Sequence, residues 1–553
     1  MTHIFARKPL GMLTTALTLG FTLTGCLDTA SNDSSSSCTP STAAGARVIC
    51  IASNNVTDGL IDALNSAKTG DTLVLPAGRF AMSKEITFDG ENSLAQTAKV
   101  TGLTIKGAGM EKTILDFDDA TGTATRADGF FISNTEDLKI EDLGVYEAPN
   151  NAIKMKKTNG IIIRRVATVW ETDYQETNGA YGIYPVETQN VLIEDSYVRG
   201  SADAGVYVGQ SENIVVRNNI AEKNVAGIEI ENSKNADVYG NIARGNTGGI
   251  LVFDLPIGNG IYGEGVRVFS NQVLENNATN FAHVGSFAAG VHIVPPGTGV
   301  IILSTSNVEI FDNTITDHKT TSVAVTSYML PDDQVADTPD SDVGGTVMTY
   351  GDIATYAEEY FDGWSPLIRG VNIHDNAISV AEGVYAPTGN LIQELIDGYA
   401  AYEQKVPDIL YDGVGELLAN AGAMGDIAAG MNQIADGIDQ FRAGNSLAAD
   451  AQNGKRIDTA RFATYGSADG VCASNNGAGV TQASVYATDP MADGAFDTNS
   501  MPAPLFQGEN SALDCGGETG RTAYVGSAAT ATIAGETFGC GADDTTSDHC
   551  TNN

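Results

Sequence analysis

Positive charge is what this chain has least of. Its 30 Lys and Arg stand against 69 Asp and Glu, a formal net charge of −39. Phosphate binding needs a basic face, so nucleic acid is disfavoured as a partner, as is non-specific adhesion to anionic lipid. The common cofactor signatures are missing as well. The sequence has no C-x-x-C pair, no H-E-x-x-H, no P-loop and no haem-attachment motif, which removes the usual zinc, nucleotide and c-type haem sites. Aromatic residues make up only 7% of the 553 positions. A chain that long does not close around one compact core unless it is a repeat array. Beyond the N-terminal segment no apolar run reaches the length of a bilayer span.

What the chain does have is a repeat and 62 glycines. An apolar residue, two variable residues and a marker recur at Leu143, Val166, Ser196, Asn219, Asn241, Asn271, Asn313 and Asn376. A second beat runs through Gly182, Gly205, Gly227, Gly249 and Gly290, with Ala152 and Ser322 in phase. A period of roughly 20–25 residues built from short alternating strands implies a solenoid, all-β, with parallel strands stacked coil on coil. In Gly227-Ile228-Glu229-Ile230-Glu231 the alternation sends Ile228 and Ile230 inward and both glutamates outward. The same inward column takes Ile153, Ile183, Val206, Ile250 and Val291. The asparagines share one turn position, where their amides can bond from coil to coil.

The first 25 residues read as a lipoprotein signal peptide: Arg7 and Lys8, an apolar stretch from Leu10, then Leu23-Thr24-Gly25-Cys26. Cys26 is the expected site of acylation. Asp is absent from the next position, which favours outer-membrane anchoring, with the periplasmic or surface face left open. Residues 26–52 form the acylated start and a flexible tether. Six cysteines are left, and an even number in an oxidising compartment implies three disulfides. Proximity suggests Cys38–Cys50 and Cys540–Cys550.

The β-helix is assigned to residues 53–386, opened by a short amphipathic helix from Val56 to Ala67 that caps its first coil. Met329–Ser365 is a long acidic excursion. Residues 387–453 read as a helical insertion, with Leu391, Leu395, Leu417 and Leu418 among alanines, broken near Pro407. Residues 454–553 are rich in Gly, Ala and Asp, carry four cysteines, and return to the coil or form a tail held by disulfides.

In a solenoid, function sits on outward side chains of neighbouring coils. The second residue after each marker glycine gives the ribbon Lys154, Tyr184, Tyr207, Glu229, Leu251 and His292. Such a mixture can line a groove for an extended glycan, rings stacking on sugars and polar groups taking hydroxyls. Lys154, Lys156, Lys157, Arg164 and Arg165 form a basic cluster able to receive a uronate or sulfate, although a solvated patch is the commoner fate of such a run. Glu229 and Glu231 are the only candidates for a hydrolytic carboxyl pair. Asp116, Asp118 and Asp119, and Asp332, Asp333 and Asp337, are candidate Ca²⁺ ligands, but neither set completes a Ca²⁺ loop. No other cofactor or metal is expected.

These markers resemble the right-handed parallel β-helix proteins, the pectate lyase-like group that includes alginate C5-epimerases. Tyr181-Gly182-Ile183-Tyr184-Pro185-Val186-Glu187 is similar to the Tyr-Gly-x-Asp-Pro-His-Glu motif of mannuronan epimerases. Tyr184 stands for the motif's Asp, Val186 for its His, and Gly209 for a further Asp one coil on, so of the motif's chemically active side chains only Tyr181 and Glu187 remain. The polygalacturonase signatures are absent. The runs from Gly179 and from Asn246 resemble a group of exported β-helix lipoproteins, whose members tend to be encoded beside an exported c-type cytochrome-like protein. The resemblance implies a lipid-anchored envelope protein that binds, and in one reading processes, an acidic polysaccharide through Lys154, Lys156, Tyr184, Tyr207, Glu229 and His292. Two alternatives stay open: a scaffold or assembly partner of another exported protein such as a c-type cytochrome, and a lyase working by tyrosine-based β-elimination, with Tyr181, Tyr184 or Tyr207 as base or acid; the catalytic candidates are Tyr181, Tyr184 and Glu187.

Overall fold

The computed structural model of the chain describes residues 38–41, 46–91, 98–118, 127–255, 261–282, 291–327, 367–379, 406–413, 415, 465–484, 513–516, 520–545 and 547–551. Cys26, the excursion 329–365 and most of 387–453 lie outside them. The described residues form a right-handed parallel β-helix. A typical coil contributes three strands, the last two fused into one in Glu136–Tyr146 and Asn159–Val169. In three consecutive coils these are Ala204–Gly209, Glu212–Arg217 and Ile220–Glu222; Ala226–Glu231, Lys234–Tyr239 and Ile242–Arg244; Gly248–Phe253, Glu264–Phe269 and Gln272–Leu274. The first strand of each coil joins an 11-stranded sheet, here the front sheet, and the other two join a 20-stranded sheet. The middle strands of the latter form the back face.

Alternation decides which side chains fill the helix. Ile153, Ile183, Val206, Ile228 and Ile250 stack inward without exposure, and the column continues through Val300 and Val323. Between the middle and last strands the chain bends at one left-handed residue: Asp195, Asn218, Gly240, Ser270, Asp312, Asp375 and Asn475, all with φ between 51° and 65°. Asn, Asp and Gly, which fill all but one of these positions, tolerate that conformation best. The next residue is the ladder position. Asn241 Oδ1 accepts from the backbone N–H and the amide of Asn219 at 2.9 and 3.0 Å, and Asn241 in turn donates to Asn271 at 3.0 Å and to the Val216 carbonyl at 2.9 Å. The ladder runs from Ser196 to Asn376, as the spacing implies, and one coil further to Asn476. Each buried N–H left orphaned there would cost about 1–3 kcal/mol. A second ladder was not foreseen: Ser201, Asn224, Asn246 and Asn276, ending on His318 at 3.1 Å. Burial lowers the His318 pKa to about 3, so the ring is neutral and can accept the amide.

The structure corrects the sequence reading at three places. The fifth marker glycine is Gly299, not Gly290, for Thr298–Leu303 pairs with Gly248–Phe253. Val291 and His292 sit instead in a 3₁₀ turn, Val291–Ile293. Gly290-Val291-His292-Ile293 and Gly299-Val300-Ile301-Ile302 carry the same pattern. A strand begun at the first would run into Pro295-Pro296, which have no N–H for the ladder. Second, residues 387–453 are not wholly helical: Ile409–Tyr411 is a front-sheet strand between Thr321–Thr326 and Gln482–Ser484. Third, the coils extend past residue 386, through that strand and Val471–Ser474, and start before residue 53, at Val48–Cys50. The helix Val56–Asn65 buries Val56, Leu60 and Leu64 in the same core as the coils.

The C-terminal segment returns along the back face as a strap. Tyr524 accepts from Asn372, Gly526 N donates to Glu309 at 2.9 Å, Thr532 N to Asn190 at 3.2 Å and Ala534 N to Asp137 at 2.8 Å, so the strap climbs the stack toward its N-terminal coils. Its hairpin, Ala531–Ile533 with Glu536–Phe538, packs on Ile162, Leu192, Val215, Tyr239 and Phe269. The disulfides are Cys38–Cys50, Cys472–Cys515 and Cys540–Cys550, which include both pairs expected from proximity.

A candidate tyrosine–carboxyl site on the front face

Parallel register places the outward residues of the front sheet in two columns. The first runs Phe131, Lys154, Tyr184, Tyr207, Glu229, Leu251 and Ile301. The second runs Lys156, Val186, Gly209, Glu231, Phe253 and Leu303. The expected ribbon is therefore real from Lys154 to Leu251, and Ile301 replaces His292 in it. Outward does not mean solvated. Tyr207, Glu229, Glu231, Leu251 and Phe253 are all buried, and Ala282, Val291 and Val294 pack into the apolar cluster of Tyr207, Leu251 and Phe253.

Three tyrosines meet at its centre. The ring centres of Tyr181, Tyr184 and Tyr207 lie 4.4, 4.7 and 4.9 Å apart. Gly209 makes this possible, because a Cβ there would overlap the Tyr207 ring. Lying across that glycine, Tyr207 donates its hydroxyl to Glu231 at 2.7 Å, and Gln210 donates to both at 3.1 Å. Tyr181 hydrogen-bonds Asp203. Lys154 Nζ sits 5.0 Å from the centre of the Tyr184 ring and 5.7 Å from that of Phe131. At the same end Asp128 accepts from the amides of Asn150 and Asn151 at 2.8 and 2.7 Å.

Glu229 differs from its neighbours. It is 1% exposed, and neither carboxyl oxygen has a hydrogen-bond partner among the described residues. Asp203 Oδ1 is equally covered and unpartnered. Burial, then Glu231 and Asp203, push the Glu229 carboxyl well above the usual range. Burial raises Asp203 well above its usual value too, against the bond from Tyr181. Glu231 is raised to about 7, burial outweighing the bonds from Tyr207 and Gln210. Crowded acids out of water cannot all ionise. The tyrosines are held up as well, by burial first and then, for Tyr181, by Asp203 and, for Tyr207, by Glu231. They are hydrogen donors here rather than bases.

The basic cluster is internally matched. Lys156 and Lys157 lie 2.9 and 3.8 Å from Glu187, Arg165 lies 2.6 Å from Asp142, and Arg164 pairs with Glu194. Of the sequence candidates, Tyr181, Tyr184, Tyr207, Glu229 and Lys154 come together, whereas Glu187 is held by the lysines. Asp203 and Gln210 carried no signal, because both lie in turns flanking the repeat strand. Glu231 was visible only as the companion of Glu229. Asp116 pairs with Arg79 at 2.6 Å, Asp119, Asp332, Asp333 and Asp337 fall outside the described residues, and no group of three or more His, Cys, Asp or Glu among the described residues is arranged to hold a metal.

Among solved structures the chain is similar to the A-module of a mannuronan C-5 epimerase of Azotobacter vinelandii (17% identity, 60% of this chain and 84% of that one, TM-score 0.33). It is also similar to a polygalacturonase of Erwinia carotovora ssp. carotovora (14%, 54% and 93%, 0.35) and an alginate lyase of Paenibacillus sp. str. FPU-7 (15%, 48% and 94%, 0.28). These likenesses bring no side chain or substrate of those proteins to this chain. No curated protein matches it. The family model described as the right handed beta helix region matches residues 96–263, the coils that carry the tyrosine–carboxyl site.

Proposed function

We propose that this chain is a polysaccharide-binding protein of the cell envelope, exported and lipid-anchored through Cys26, that engages a glycan at the front-face site and works on it by proton transfer. The observation that carries the reading is the meeting of three tyrosine rings with the carboxyls of Glu231, Asp203 and Glu229, the last without a hydrogen-bond partner among the described residues. Ring faces suit sugar rings, and partnerless oxygens suit hydroxyl or amine donors. Carboxyls that keep protons near neutral pH are general acids, and Glu231, raised to about 7, is poised to exchange its proton. Protonated tyrosines argue against tyrosine as the base of an elimination. The three cysteine pairs fit an oxidising compartment. The matched basic cluster removes the main support for a uronate, leaving Lys154 as its one cation stacked on the site. The scaffold alternative draws on residues 329–365 and 387–453, most of which lie outside the described residues.

The test is retention on an array of neutral, acidic and amino glycans, followed by product analysis. Tyr184→Ala is expected to weaken binding at least tenfold, and Glu231→Gln to abolish any turnover with binding kept. Absence of binding to every glycan would sink the reading.

A further inference from the structure

Building on the polysaccharide reading, we propose that the front-face site takes an amino sugar, with a free ammonium seated between Glu229 and Asp203. Three covered carboxyl oxygens have no hydrogen-bond partner there among the described residues: both oxygens of Glu229 and Oδ1 of Asp203. Buried acceptors are normally satisfied, and three orphans together mark a missing donor. An ammonium offers three donors and no acceptor.

Charge points the same way. The charged groups acting on Glu229 are Glu231 and Asp203, both acids. Lys154 exerts its field on Asp128 and Glu85, and stacks on Tyr184 and Phe131. A uronate would add one more negative group to carboxyls that already repel one another. A neutral sugar brings no charge against which the carboxyls could ionise. An ammonium lets the carboxyls ionise against it, turning their burial from a penalty into attraction. The tyrosine rings add favourable faces for a cation and for the sugar that carries it. The net charge of −39 attracts a polycation from a distance.

The back face shows how this molecule treats such acceptors elsewhere. Glu309, Asn190 and Asp137 each receive a backbone N–H from the C-terminal strap. On the front face no described residue donates to Glu229.

The experiment is calorimetric titration of the full chain, at mildly acidic pH, with glucosamine oligomers, N-acetylglucosamine oligomers, oligouronates and oligolysine. Glucosamine oligomers are expected to bind at least tenfold tighter than the N-acetylated series, and oligouronates weakest. Glu229→Gln and Asp203→Asn are expected to erase that tenfold preference, with thermal unfolding confirming an intact fold. Equal or tighter binding of N-acetylated oligomers or oligouronates overturns the inference and leaves the polysaccharide reading standing. Tighter binding of oligolysine than of glucosamine oligomers places the amine on a peptide and also overturns it. Binding of none of the four removes the polysaccharide reading itself.

Discussion

The front and back faces of this β-helix begin from the same pattern and end in opposite states. On both, alternating strands present columns of charged and aromatic residues. On the back, Tyr239, Phe269, Phe311 and His374 stack with ring centres 4.8, 4.9 and 5.4 Å apart. The buried charges beside them are paired. Arg217 lies 2.7 Å from both Glu194 and Asp543, and Arg267 lies 2.6 Å from Asp237. The strap supplies the remaining donors. On the front, the tyrosines pack as closely, but Glu229 has no described partner. A back face completed by the chain's own segment is structural. A front face with leftover acceptors is where a ligand has something to add.

The contrast breaks most directly at Arg267. It and Asp237 are 4% and 0% exposed, so Arg267→Met strands a buried carboxylate. Removing one partner of such a pair costs about 3–5 kcal/mol, which urea unfolding would read. A loss under ~1 kcal/mol would mean that charge pairing does not hold the back face, and the two faces would no longer differ in kind.

A smaller effect is expected at Gly209. Alanine there forces the Tyr207 ring off its seat and out of reach of Glu231. Overpacking of this kind costs about 1–3 kcal/mol. Thermal unfolding should show that loss together with loss of glycan binding. Unchanged binding would show that the Tyr207–Glu231 bond is no part of the site.

A third effect is one of pH. Glu231 is raised from 4.5 to about 7. The folded chain therefore keeps a proton that the unfolded chain releases, and the slope of stability against pH is negative in that window. The group's share of stability is whole below pH 4.5, is lost as pH rises to about 7, and stays lost above it. Glu231→Gln should flatten that part of the curve in melting temperatures taken across the window. An identical slope in variant and parent would mean Glu231 ionises normally.

Much of the fold was legible. The marker spacing placed Ser196 through Asn376 in one column, because parallel stacking makes sequence period and spatial repeat the same thing. The ribbon from Lys154 to Leu251 followed from alternation alone. It failed at His292, where the same local pattern occurs twice and only the neighbouring prolines and the pairing of Thr298–Leu303 decide between them. The site was half legible. Tyr181, Tyr184, Tyr207 and Glu229 lie on or beside repeat strands. Asp203 and Gln210 come from turns, where the repeat makes no statement about direction.

Alternation and period alone determined the coil, its inward columns and the residues that face outward on each sheet, since a side chain's side of a strand depends only on parity. They could not determine which outward residues meet water. That was decided by where the C-terminal strap returned, by which residues packed over the front columns, and by pairings between residues hundreds of positions apart, such as Arg217 with Asp543. Burial and charge balance are properties of what lies across a face, and no local pattern encodes them.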